Sequence, residues 1–459
     1  MFQHIASSTN PTGNGIPGHA FAFHTEALPA HTVAVMGVSA PANVTVTISD
    51  TQVGSWSSAV CGASGGADNA KAWVFVQPLG ATGGPDTITI NVGSSNIQPV
   101  QFDITFWQNI NTSSPANGSL CMGNIIPGSG GSISPGSFAP TTNNDSNGGN
   151  VIWNYTPICT GYASSNPTRW VPASGFSLLN GDIIWTNNQG FPEASQYHVQ
   201  TSQGSVAPSI TATGDTADCF NSASVALKIA DNGVSAPSTI HVAAIGHESF
   251  TTFASPGTMK IQVPWVGNLR AFTFTWQNMS PGGGSGAITA ISSSDSCNFT
   301  KTGGSNGANV WYAQGCSPCP TCTVSLAWTG SYTSPQGSFH YYDVENAQAS
   351  SFQNAATSSN FACETTVTDA PSFTPTGASS GLVIQALGNG NGPITGFASG
   401  APSGAVFDLW TFAGQTDSDV ADNADSSNHL YYSSLTTENW NFVKTNGGDG
   451  CYDAAAAFN

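Results

Sequence analysis

Short runs that alternate apolar and polar residues recur along this chain and restrict it to strands. Asn43-Val44-Thr45-Val46-Thr47-Ile48-Ser49, Thr87-Ile88-Thr89-Ile90-Asn91-Val92 and Phe102-Asp103-Ile104-Thr105-Phe106-Trp107 place apolar side chains at period two, the spacing of a strand with one buried face. Clusters such as Gly80-Ala81-Thr82-Gly83-Gly84-Pro85 separate the runs and supply turn chemistry. Only 7% of the residues are charged, so Lys and Glu, which favour exposed helix positions, are scarce. Thr, Val, Ile and aromatic side chains, which suit a pleated, half-buried surface, are plentiful. An all-β fold follows.

The order of the strings repeats. Ala72-Trp73-Val74-Phe75-Val76, Asp86-Thr87-Ile88-Thr89-Ile90 and Phe102-Asp103-Ile104-Thr105-Phe106 precede Cys121. Val310-Trp311-Tyr312-Ala313, Cys322-Thr323-Val324-Ser325-Leu326 and Phe339-His340-Tyr341-Tyr342-Asp343 precede Cys363 in the same order. Asp218-Cys219-Phe220 through Leu227 likewise resembles Gly450-Cys451-Tyr452 through Phe458. A period of roughly 230 residues is far longer than a solenoid repeat and points to duplicated domains. The expected organisation is two tandem antiparallel β-sandwich domains, 1–232 and 239–459, joined by a linker at 233–238.

Val44-Thr45-Val46 leading to Asp50 and Trp56, the Trp73 and Trp311 strings, the Thr-Ile-Thr-Ile strand and the apolar closing strand together resemble a domain of uncharacterised secreted proteins of environmental bacteria. The resemblance covers most of both halves and implies jelly-roll or Ig-like sandwiches on an extracellular surface protein. Its motifs are packing patterns, and it brings no catalytic residues.

A formal charge of -18, with 7 Lys plus Arg against 25 Asp plus Glu, offers no cationic surface for phosphates. Nucleic acid is excluded as an expected partner. No run of 18 apolar residues occurs, so no helical membrane span is expected. The opening residues, Met1-Phe2-Gln3-His4-Ile5-Ala6, show neither a basic nor an apolar signal region.

Ten cysteines in so polar a chain suggest an oxidising, extracellular setting with structural disulfides. Cys316-Ser317-Pro318-Cys319-Pro320-Thr321-Cys322 has metal-site spacing. It falls on a predicted hairpin turn without an evident fourth ligand, so bridges are the favoured reading. The simplest pairing joins Cys121 to Cys219, Cys363 to Cys451, Cys61 to Cys159, and Cys297 to one of Cys316, Cys319 and Cys322, although sequence alone does not fix connectivity.

Other chemistry is sparse. His19, His24 and His31 stand near Glu26, and His241 and His247 beside Glu248, without a helical metal frame. Asp343 and Glu345, two apart on a strand, share a face as a glycosidase acid pair would, but the longer array of acids expected beside them is missing. Gly303-Gly304-Ser305-Asn306-Gly307 lacks the strand-to-helix setting of a nucleophile elbow. Asp417, Asp419, Asp422 and Asp425 are candidate calcium ligands, against the reading of a solvated loop, and no other cofactor is expected. Trp153, Trp170, Trp185 and Trp440 lack counterparts in the other half. They are candidate sugar-stacking rings, against the reading of core packing.

The leading expectation is an extracellular structural or adhesive protein without enzymatic activity, whose partner is itself, as a homo-oligomer, fibre or coat subunit. The alternatives are a pair of carbohydrate-binding modules engaging surface glycans and, third, a glycan-active hydrolase. The segment up to about Ala30, rich in Gly and Pro, is expected to dock on a neighbouring copy.

Overall fold

The computed structural model describes the chain except residues 9–18, 65–69, 94–99, 141–148, 160–166, 185–191, 203, 216–217, 231–236, 251–256, 278–286, 306–307, 330–335, 364–365, 368–371, 390–393, 398–403, 412–423, 440 and 445–448. The fold is all-β, and the described helical structure is a single 3-10 turn at Ser129–Gly131.

A ten-stranded central sheet runs in the order Thr300–Ser305, Ala308–Gln314, Leu269–Gln277, Gln336–Glu345, His241–Phe250, Gln3–Ser8, Gln101–Trp107, Val33–Pro41, Ala70–Pro78 and Cys61–Ser64. The halves of the chain meet at Gln3–Ser8 and His241–Phe250, which pair in parallel with Ile5 opposite Ile245. Every other named pairing among the described strands is antiparallel.

Two outer sheets sandwich this layer, and each also crosses the boundary between the halves. One has eight strands in the order Ala116–Ile125, Phe220–Lys228, Asn150–Pro157, Glu193–Gln200, Ser177–Ile184, Gly257–Trp265, Cys319–Thr329 and Ala287–Ser293. The other has nine: Phe352–Cys363, Asp449–Phe458, Gly381–Asn389, Ala424–Tyr432, Val406–Thr411, His19–His24, Thr87–Val92, Val46–Asp50 and Gly54–Ser55. The strands Phe220–Lys228 and Asp449–Phe458, matched in sequence, both lie one strand in from an edge of their sheets.

Alternation decides which face each strand gives to which layer. In Val33–Pro41, wholly buried along its length, Val33 and Val35 join Trp153, Tyr155 and Val225 of the eight-stranded sheet. Ala34, Met36 and Val38 turn the other way, to Ile48, Ile88 and Ile90 of the nine-stranded sheet. The second half does the same: Phe272 and Phe274 pack with Val324 and Leu326, and Leu269 and Ala271 with Leu382, Ile384 and Ala456. Four cores result, two on each face of the central sheet, and each fully buried aliphatic side chain contributes roughly 1.5–3 kcal/mol. Gly37 is required where the layers touch, because a Cβ there would stand 2.5 Å from the Tyr155 ring.

Two expectations change. Separate sandwiches at 1–232 and 239–459 are not what the sheets form, because all three large sheets take strands from both halves. Nor is the described part of the segment up to Ala30 a free docking arm: Gln3–Ser8 lies inside the central sheet with Gln3 and Ile5 wholly buried, and His19–His24 inside the nine-stranded sheet, while 9–18 lie outside the described residues.

Candidate functional site

Where Val406–Thr411 of the second half pairs with His19–His24 of the first, the chain leaving His24 turns inward and buries Glu26 between layers. Glu26 Oε1 lies 3.3 Å from His241 Nδ1 on the central sheet, and Oε2 lies 3.7 Å from His429 Nε2. His241 Nε2–H donates to the Phe2 carbonyl at 2.9 Å. Tyr431 accepts from the Val242 amide at 2.8 Å and bonds Glu26 through its hydroxyl.

The row continues inward. His429 Nδ1 donates to Asp408, Tyr342 donates to the other Asp408 oxygen at 2.5 Å, and Ser427, beside Tyr342, donates to the Gln385 carbonyl at 3.0 Å. Burial alone would lower the His429 pKa, but the carboxylates of Asp408 and Glu26 outweigh it and raise it to about 10. His429 is thus an imidazolium at neutral pH. Burial pushes Asp408 up, opposed by His429, and it drives Tyr431 well above the usual phenol range, reinforced by Glu26.

A cavity of about 1290 Å³ opens beside this row, lined by Glu26, His241 and Tyr431 together with Asn346, Gln348 and Thr239. The buried oxygens Glu26 Oε1 and Asp86 Oδ2 accept no hydrogen bond. Burial lowers the pKa of His24, another lining residue. The arrangement fixes charge, binds halves and layers together, and presents acceptors at the cavity wall. It presents no activated nucleophile among the described residues.

Of the residues singled out in the sequence, Glu26 and His241 come together here, and His24 lies on the cavity wall. Asp408 and His429 were missed, since neither stands near another ionisable group of matching spacing. Trp153 and Trp170 are wholly buried and present no ring to a sugar: Trp153 lies between central and outer sheet, and Trp170 beneath a small sheet of Ser132–Ile133, Ile210–Thr213 and Arg169–Val171. Trp185, Trp440, Asp417, Asp419 and Asp422, and the side chain of Asp425, lie outside the described residues. Asp343 is buried and accepts the Val266 and Gly267 amides at 2.7 and 2.8 Å, which makes it a loop anchor.

The bridges among the described residues are Cys61–Cys121, Cys159–Cys219, Cys297–Cys316 and Cys319–Cys322, so two expected pairings, Cys61 with Cys159 and Cys121 with Cys219, are replaced. The physical reason is the layering: Cys61 lies on an edge strand of the central sheet and Cys121 on the adjacent edge strand of the outer sheet. Cys297 does pair with a cysteine of the 316–322 loop, as expected. The side chains of Cys363 and Cys451 lie outside those described. Asp295, Cys319 and Cys322 approach one another as metal ligands would, but the two sulfurs are bonded to each other.

No protein-family model matches the chain, and no curated protein matches it.

Proposed function

We propose that this chain is an extracellular structural protein, an internal duplication that serves as a rigid, self-associating building block of a surface layer or fibre. The observation that carries the reading is the sharing of all three large sheets by both halves, which leaves no hinge between independently cored domains. Four disulfides among the described residues and a surface poor in charge fit the same role. Ala116–Ile125 is an open edge of the eight-stranded sheet, with Met122 and the following Ile126 47% and 58% exposed, a ready place for strand addition.

Light scattering at micromolar concentration, in low and in molar salt, tests this. The expected result is association that survives salt, because apolar contact and backbone pairing are little screened, and that falls in the Met122→Lys, Ile126→Lys double variant. A monomer under both conditions overturns it. The cavity favours a second reading, a glycan-binding protein, since amides, hydroxyls and phenols line it beside Asp86, whose buried Oδ2 accepts no hydrogen bond. A thermal shift with neutral oligosaccharides that disappears in Asn346→Ala decides for that reading.

A further inference from the structure

Among the described residues, three of the four bridges join separate segments of chain, over sequence separations of 60, 60 and 19. Cys319–Cys322 does not. Both cysteines belong to the one strand Cys319–Thr329, three positions apart. The register explains how they reach each other: Cys322 pairs with Val263 and Cys319 with Trp265, so Pro320 and Thr321 bulge opposite the single Pro264. A bridge across so short a loop removes little entropy from the unfolded chain and ties no two strands together. Thr87–Val92, which holds the equivalent place in the other outer sheet, carries no cysteine.

The two sulfurs differ in access. Cys319 is half-buried, whereas Cys322 is wholly buried in the core beside Val324 and Ile291. An incoming thiol therefore meets Cys319 first. Ser293 Oγ stands 3.6 Å from Cys322 Sγ and also contacts Asp295, which the buried Arg270 guanidinium holds at 2.6 Å. Burial pushes Asp295 up, but Ser293 and Arg270 outweigh it and keep the carboxyl below its usual range. The hydroxyl thus stands where it can donate a hydrogen bond to the buried sulfur as a thiolate departs.

We propose that Cys319–Cys322 is a redox-active disulfide that exchanges with an external thiol, entered at Cys319. A donor thiolate attacks Cys319 Sγ and forms a new S–S bond while the Cys319–Cys322 bond breaks. The electron pair leaves on Cys322 Sγ, whose thiolate accepts a hydrogen bond from Ser293 and then takes up a proton from water. A second donor thiolate then attacks the donor sulfur of the mixed disulfide and releases Cys319, which is protonated in turn. Two donor thiols are oxidised to a disulfide, and the bridge gains two electrons and two protons.

The test titrates the folded wild-type protein in dithiothreitol redox buffers of increasing strength, quenches with an alkylating agent and maps the peptides by mass spectrometry. Cys319 and Cys322 are expected to be alkylated while Cys61, Cys121, Cys159, Cys219, Cys297 and Cys316 remain bridged and the far-ultraviolet dichroism is unchanged. Opening of this bridge only together with the others, or only on unfolding, overturns the proposal. Single variants check the direction of entry. Cys322→Ser, which leaves Cys319 as the thiol, should take up glutathione from its disulfide on the order of tenfold faster than Cys319→Ser, and equal rates overturn entry at Cys319.

Discussion

Ile5 and Ile245 are neighbours in the parallel register that joins the N-terminal strand Gln3–Ser8 to His241–Phe250. Both turn to the same face of the central sheet, Ile5 into the core formed with Ile88 and Ile90, and Ile245 into the core formed with Leu382 and Ile384. The seam is thus apolar and continuous, and breaking it would expose two cores at once.

Cleavage between the halves should not release them. A protease site inserted at 233–238 and cut in the native protein leaves three shared sheets in place. Size-exclusion chromatography is expected to show the two fragments co-eluting at the uncut volume, separating only in denaturant. Separation under native conditions would contradict the shared sheets.

Stability should fall as pH rises from mildly acidic to alkaline. Burial, opposed by the Val266 and Gly267 amides, raises Asp343 from 3.8 to about 7. Between those values the folded state holds a proton that the unfolded state has lost, so this contribution is complete below about pH 4 and lost as pH passes 7. Asp453, raised well above its usual range by burial, acts in the same sense, and His429, at about 10, extends it into alkali. The melting temperature should be higher at pH 5 than at pH 8.5, with a smaller difference in Asp343→Asn, by calorimetry.

Glu26→Gln should weaken the join between layers. The change leaves the His429 imidazolium with Asp408 alone and removes the carboxylate facing His241. Breaking a buried ionic group by removing one member costs about 3 kcal/mol. A lower urea midpoint with an unchanged slope is the expected result, since the loss is local to the folded state.

Gly246→Ala probes the same layer from the other side. Gly246 is the register partner of Tyr341, and a Cβ there would stand 1.9 Å from the tyrosine ring. The variant should lose roughly 1–3 kcal/mol through overpacking, and Tyr341→Leu in addition should recover part of it in a double-mutant cycle.

The strands themselves were legible in the sequence because period two is a local signal: Thr87–Val92 and Gln101–Trp107 occur where alternation places them. Their assembly was not, because alternation says that a face is apolar and not which sheet covers it. Val33-Ala34-Val35-Met36 carried the missing clue, an unbroken apolar run that only a strand covered on both faces requires. Glu26 and His241 drew notice as residue types, but their meeting depends on the seam. Trp153 and Trp170 had no counterparts in the other half, yet each fills a core, so lack of a repeat partner was a poor guide to exposure.

The pairing of His19–His24 with Val406–Thr411 also sets the tempo of folding. A strand near the start of the chain finds this partner only after most of the chain has been made, and contacts so distant in sequence slow the search for the native state. Until then its edge stays open to strangers. A newly made chain must therefore be kept apart from its neighbours during the interval in which it most resembles a subunit waiting to join them.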